Sequence, residues 1–71
     1  MNAEKMFENL GWEKIADETI CLMYKSGYRT IYFLQNDRWI VTSAGPMSMD
    51  DLKAINTQCK ELGWLDEKME S

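Results

Sequence analysis

The spacing of apolar residues changes twice along the chain, and this change predicts the order of its secondary structure. Near both ends, apolar residues recur every three or four positions, as on one face of a helix. These two stripes are Ala3, Met6, Phe7 and Leu10, and Leu52, Ile55, Cys59 and Leu62. The intervening segment is rich in Ile, Tyr, Thr, Phe, Trp and Val, which favour a pleated strand. With only 71 residues, the chain is predicted to form one small domain over residues 1–71.

Capping residues predict where each helix begins. Asn2 can cap the first helix, and Ser48 with Asp51 has the spacing of a capping box before the second. Pro46 lies just upstream of that box and disfavours helix at the preceding residue. We therefore expect helices over about residues 3–10 and 49–62.

The tripeptide Leu-Gly-Trp predicts where each helix ends, because it occurs at residues 10–12 and again at 62–64. Glycine readily adopts the left-handed conformation that closes a helix, and the residue after it then folds back onto the last turn. We expect left-handed glycines at both positions and burial of both tryptophans, with Trp12 against Phe7 and Trp64 near Cys59.

Three strand-like runs lie between the helices, at residues 19–25, 28–34 and 39–43. Ser26-Gly27 suits a two-residue hairpin loop, which would pair Lys25 with Tyr28. The predicted fold class is α+β, with the order α-β-β-β-α: a three-stranded antiparallel meander with two helices on its more apolar face. The residues expected on that face are Ile20, Leu22, Tyr24, Ile31 and Phe33.

The second turn leaves two registers open. A two-residue loop at Asn36-Asp37 and a three-residue loop with a bulge differ by one residue, and therefore exchange the two faces of the third strand. We favour the three-residue loop. It would place Trp39 and Val41 on the apolar face, beside Phe33 and Ile31, and Ile40 on the other face.

The second face of the predicted sheet mixes aromatic, apolar and basic side chains. It is too apolar for a merely solvated face and too polar for a second core, and such a mixture is typical of contact surfaces. The third strand is also an edge that contains neither Pro nor Lys to discourage pairing. The candidate partner-binding residues are Met23, Lys25, Tyr28, Thr30, Tyr32, Arg38 and Ile40.

Composition argues against several chemistries. The chain has no His, the commonest general base and a frequent zinc ligand, and we predict no enzyme, no catalytic residues, no metal and no cofactor. Its net charge of −4 disfavours binding to nucleic acid. Cys21 and Cys59 are predicted to be reduced thiols. Without a membrane span or secretion signal, the predicted location is the cytoplasm, with no membrane partner.

The first and last helical segments carry a resemblance. Met6-Phe7-Glu8-Asn9-Leu10-Gly11-Trp12 and the segment from Leu52 to Trp64, with three strands between them, look like small uncharacterised prophage-encoded proteins of Gram-positive bacteria. The resemblance covers nearly the whole chain. It implies a phage or prophage setting in a bacterial host, and no defined activity or functional residues.

Three functions follow as hypotheses. The first is a non-enzymatic phage or prophage protein that binds a protein partner, or a second copy, through the open sheet face or an edge strand. The second is an acidic inhibitor that presents carboxylates to a host nucleic-acid-binding or defence protein where phosphates would bind. The third is single-stranded nucleic-acid binding on the sheet face.

Overall fold

The computed structural model describes residues 2–43 and 45–65. It is α+β, with two helices and an antiparallel sheet of four strands, so the prediction of three strands is wrong. The elements are α1 (Ala3–Asn9), β1 (Glu13–Asp17), β2 (Cys21–Ser26), β3 (Arg29–Leu34), β4 (Trp39–Ser43) and α2 (Met49–Glu61).

Both helices begin at the predicted caps. The Asn2 side chain accepts a hydrogen bond from the Lys5 backbone N–H at 2.8 Å. At α2, the Asp51 N–H donates to Ser48 Oγ at 3.0 Å, and the Ser48 N–H donates to the Asp51 carboxylate at 3.1 Å. This reciprocal pair is a complete capping box, and the helix bounds agree with the prediction to within one residue.

Both helices end in the same hydrogen-bonded motif. The Trp12 N–H donates to the Phe7 carbonyl at 2.9 Å, and the Trp64 N–H donates to the Cys59 carbonyl at 2.8 Å. The glycines between have φ angles of 92° at position 11 and 79° at position 63. These are Schellman endings, and the predicted left-handed caps are confirmed. Trp12 is buried, whereas Trp64 is only half-buried.

Substituting Gly63 tests how much its left-handed backbone at the end of α2 contributes to the stability of the protein. An added Cβ would meet no atom within 4 Å, so the cost comes only from the φ of +79°. We expect Gly63→Ala to lower the free energy of unfolding by about 1 kcal/mol in urea titration. Gly45→Ala is the matched control, since Gly45 also faces open space but has no left-handed φ. Equal stability of the two variants would contradict this account.

The four strands follow chain order, β1-β2-β3-β4, and every neighbouring pair is antiparallel. The additional strand, β1, pairs with β2 and has a bulge between Lys14 and Ala16. Its sequence, Glu-Lys-Ile-Ala-Asp, contains one β-branched residue among three charged ones, so local propensity does not indicate a strand. The pairing with β2 stabilises it instead.

The β2–β3 hairpin has a different register from the predicted one. Lys25 pairs with Thr30 and Ser26 with Arg29, which leaves Gly27-Tyr28 as the two-residue loop. Gly27 has φ +65°, and a left-handed glycine at the first loop position is typical of a type II′ turn. Since the pairing differs by an even number of positions, the predicted faces of β2 and β3 are unchanged.

The β3–β4 register corrects the prediction for the last strand. Phe33 pairs with Ile40 and Leu34 with Trp39, as in the two-residue alternative rather than the three-residue loop. Ile40 therefore lies on the helix-covered face, and Trp39 and Val41 lie on the opposite one. The physical reason lies in the turn, where Arg38 takes a left-handed φ of 58° that the sequence does not signal.

The core lies between the helices and one sheet face. Phe7 is fully buried and stacks on Tyr24 with ring centroids 4.0 Å apart, while Trp12 and Phe33 contact it edge-on at 6.2 and 6.3 Å. Leu22, Tyr24, Ile31 and Phe33 are buried as predicted, but Ile20 is 54% exposed in the loop before β2.

The buried side of α2 is rotated from the predicted stripe. Ile55 and Cys59 are buried, but Leu52 is 45% exposed, and two polar residues, Asp51 and Gln58, are buried in addition. Burial raises the pKa of the Cys59 thiol, as expected for a small hydrophobe in the core.

Candidate protein-binding surface

The sheet face opposite the helices is the candidate site, and we call it the outer face. Successive side chains alternate between the two faces of a strand, so residues paired with one another share a face. The strand residues on the outer face are Cys21, Met23, Lys25, Thr30, Tyr32, Leu34, Trp39, Val41 and Ser43, with Glu13 and Ala16 of β1. No described helix covers this face.

The structure divides the predicted partner-binding residues into two groups. Met23, Lys25, Thr30 and Tyr32 lie side by side on the outer face. The other three lie elsewhere: Tyr28 is in the β2–β3 turn and is 90% exposed, Arg38 is in the β3–β4 turn, and Ile40 is on the inner face.

The β3–β4 register brings two large apolar residues of β4, Trp39 and Val41, to the outer face, where they join Leu34 of β3, and the prediction assigned none of the three to it. Trp39 is 63% exposed, Val41 43% and Leu34 37%, and they adjoin the half-buried Tyr32. The two-residue alternative for the second turn would have predicted Trp39 and Val41 on this face. The outer face is consequently more apolar than predicted.

Charge on the outer face is confined to one end. Lys25 lies opposite Glu13 of β1, so opposite charges face each other across the two strands. The outer-face residues of β3 and β4 are uncharged. An apolar centre with a polar rim is the composition expected of a protein interface.

The edge strand β4 borders this patch. It is the last strand of the sheet, as predicted, and all five of its residues are exposed. It contains no proline, lysine or bulge, the features by which edge strands usually avoid pairing. Its backbone can therefore accept another strand.

A buried polar network fixes α2 beneath the other face of the sheet. Trp12 Nε1 donates to Asp51 Oδ1 at 3.0 Å, and Arg29 Nη2 donates to Asp51 Oδ2 at 3.3 Å. The Arg29 guanidinium also lies 4.7 Å from the centroid of the Trp12 ring. Burial by itself would raise the pKa of Asp51, but the hydrogen bonds from Trp12, Ser48 and Arg29 outweigh it and lower this pKa.

A second polar contact secures the other end of α2. The Tyr24 hydroxyl donates to Gln58 Oε1 at 2.8 Å, and burial raises the pKa of Tyr24 to about 12. Among the described residues, no buried side-chain polar atom lacks a hydrogen-bond partner. These two contacts therefore anchor α2 against the inner face of the sheet without leaving a buried polar side chain unpaired in the described part of the chain.

Within residues 2–43 and 45–65, no three His, Cys, Asp or Glu side chains gather as a metal site would require. None of the helices in this part of the chain is long and apolar enough to cross a membrane. Both cysteines are free, Cys21 half-buried on the outer face and Cys59 in the core. No protein-family model, curated protein or solved structure matches the chain.

Proposed function

We propose that the protein is a non-enzymatic binding module whose contact surface is the outer face together with the β4 edge. The observation that supports it most is the exposure of Trp39, Val41 and Leu34 as one uncharged patch beside an unprotected edge strand. Trp is among the residues that most often dominate binding energy at interfaces. The phage or prophage setting in a bacterial cytoplasm, implied by the resemblance, belongs to this proposal.

The simplest partner is a second copy of the chain. Identical edges pair antiparallel around a two-fold axis, and an axis at Val41 would set Trp39 of one copy opposite Ser43 of the other. The outer faces of the two copies would then be continuous. A foreign protein that adds a strand to β4 would use the same surface.

Features of the described residues weigh against the two alternative functions. For phosphate mimicry, several carboxylates already have partners within the chain: Glu4 with Lys14, Glu8 with Lys5, and Asp51 in the buried network. For single-stranded nucleic acid, Arg38 lies away from the outer face, which leaves Lys25 as its basic strand residue.

Self-association tests the proposal first. In sedimentation velocity over a concentration series, we expect the average mass of the parent to rise toward that of two chains. Trp39→Ser should weaken association at least tenfold, because it removes the largest exposed apolar side chain of the patch. Ile20→Ser is the matched control, since Ile20 is similarly exposed but lies outside the strands.

Affinity capture from a Gram-positive host lysate tests a foreign partner with the same variants. A partner of the outer face should be retained by the parent and by Ile20→Ser, and lost with Trp39→Ser and with Val41→Lys. Parent and outer-face variants that behave alike in both sedimentation and capture would refute the proposal. If capture falls steeply with rising salt and is the same for the parent and Trp39→Ser, phosphate mimicry would be favoured instead.

A further inference from the structure

An apolar groove of about 620 Å³ lies on the other side of the sheet, between β4 and α2. Its apolar walls are Ile40, Leu52, Ile55, Cys59, Trp64 and Leu65. Ile40 and Leu52 are 40% and 45% exposed, so the helices do not fill this part of the inner face. The volume is within the range of small-molecule sites, about 300–1,000 Å³.

The charge around the groove is opposite in sign to that of the whole chain. Arg38 and Lys53 line it, and none of the described residues that line it carries a carboxylate. The chain as a whole has 12 acidic and 8 basic residues. No ion pair of either cation occurs within the described part of the chain. Among the described residues, an anionic group would therefore meet two cations and one amide, that of Asn56, at a site whose other lining residues are apolar.

The backbone at Arg38 adds a second observation. Its φ of 58° is left-handed, a conformation that glycine adopts more readily, yet the position carries a long cationic side chain. Backbone strain of this kind is found disproportionately at ligand-binding positions. Arg38 is also the residue that joins the β3–β4 turn to the strand whose Ile40 lines the groove.

We propose that the groove binds a long-chain aliphatic carboxylate. The hydrocarbon tail would lie against Leu52, Ile40 and Trp64, where each methylene removed from water contributes favourably. The carboxylate would lie between Arg38 and Lys53, which could donate charge-assisted hydrogen bonds. This site is on the opposite side of the sheet from the outer face, so the inference does not depend on the proposed protein-binding function.

Calorimetric titration of the full chain with dodecanoate tests the site. We expect saturable binding of one molecule per chain, with a dissociation constant below about 1 mM. Tryptophan emission should change with it, because Trp64 lines the groove. Dodecyltrimethylammonium, which has the same tail with a cationic head, should bind at least tenfold more weakly. Butanoate, which has the head group without the tail, should not bind measurably.

Substitutions locate the site and separate binding from folding. Leu52→Asn should weaken dodecanoate binding at least fivefold, whereas Ile20→Asn, at a comparably exposed position, should not change it. Arg38→Gly should weaken binding about two- to fivefold, while its thermal midpoint stays equal to or above that of the parent, because glycine relieves the left-handed φ. Lys25→Gln on the outer face is the control for charge and should leave binding unchanged.

Four results would overturn the proposal. The first is the absence of saturable dodecanoate binding, and the second is an equal affinity for dodecyltrimethylammonium. The third is dodecanoate binding that Leu52→Asn does not weaken, and the fourth is self-association of the protein that Leu52→Asn abolishes. The last of these would assign the groove to a second copy of the chain.

Discussion

Replacing Asp51 with alanine should lower the free energy of unfolding by about 3 kcal/mol, because it leaves the buried Trp12 indole N–H and two partly buried donors without their acceptor. The carboxylate accepts hydrogen bonds from Trp12 Nε1, Arg29 Nη2 and the Ser48 N–H, so one substitution removes a buried acceptor, an ion pair and half of a capping box. Urea titration followed by circular dichroism measures the loss. A loss below 1 kcal/mol would show that this network does not hold α2.

The pH dependence of stability gives an independent test of the same residue. The pKa of Asp51 is lowered in the folded protein, so its contribution is fully present above the ordinary aspartate pKa, near 4. The contribution is lost as the pH falls through the lowered, folded-state pKa. Asp51→Asn keeps the side-chain shape but does not titrate there. We expect the parent to have a higher free energy of unfolding than Asp51→Asn above about pH 4, and this difference to shrink as the pH falls further. A difference that does not change with pH would contradict this.

Phe7→Ala should have an effect of similar or greater size, about 3–5 kcal/mol. Phe7 is fully buried, stacks on Tyr24 and contacts Trp12 and Phe33, so its removal leaves a cavity at the centre of the aromatic cluster. A domain of this length has a total stability of only about 4–11 kcal/mol. The variant should therefore be largely unfolded well below the thermal midpoint of the parent.

Phe7→Leu serves as the control, since it retains apolar volume and should cost about half as much or less. Thermal unfolding monitored by near-ultraviolet circular dichroism reports on the aromatic cluster directly. Equal midpoints for Phe7→Ala and the parent would mean that Phe7 is not central to the core.

The helix ends were predictable because their chemistry is local. Ser48 and Asp51 form a capping box within four residues, and Gly11 and Gly63 determine helix endings through their own φ angles. The helical segments and their order therefore follow from short stretches of sequence that need no tertiary context.

The β1 strand and the faces of β4 were not predictable in the same way. β1 forms because β2 supplies its hydrogen-bonding partner, and its residues have little intrinsic preference for strand. A one-residue difference in the β3–β4 turn decides which side chains of β4 lie on which face of the sheet. The left-handed conformation of Arg38 accompanies the register that the structure adopts. The candidate surface was consequently predicted only in its β2 and β3 part, and Trp39 and Val41 were placed on the wrong side.

The rotation of α2 has a physical reason of the same non-local kind. The Trp12 indole N–H is buried against α2 and donates to Asp51. The Tyr24 hydroxyl is also buried against α2 and donates to Gln58, so α2 turns these two polar residues inward. Apolar periodicity alone assigns Leu52 to the core. In the folded chain Leu52 lines the groove instead.

Hydrogen–deuterium exchange on the associated protein, compared with the free chain, tests the central claim most directly. The associated sample is the concentrated self-associated protein, or its complex with a captured partner. We predict that new protection appears in residues 39–43 of β4, because its exposed edge would become hydrogen-bonded, and that α1 exchanges as before. Protection confined to α1 and the exposed side of α2, with β4 unchanged, would contradict the assignment of the contact surface to the outer face and its edge.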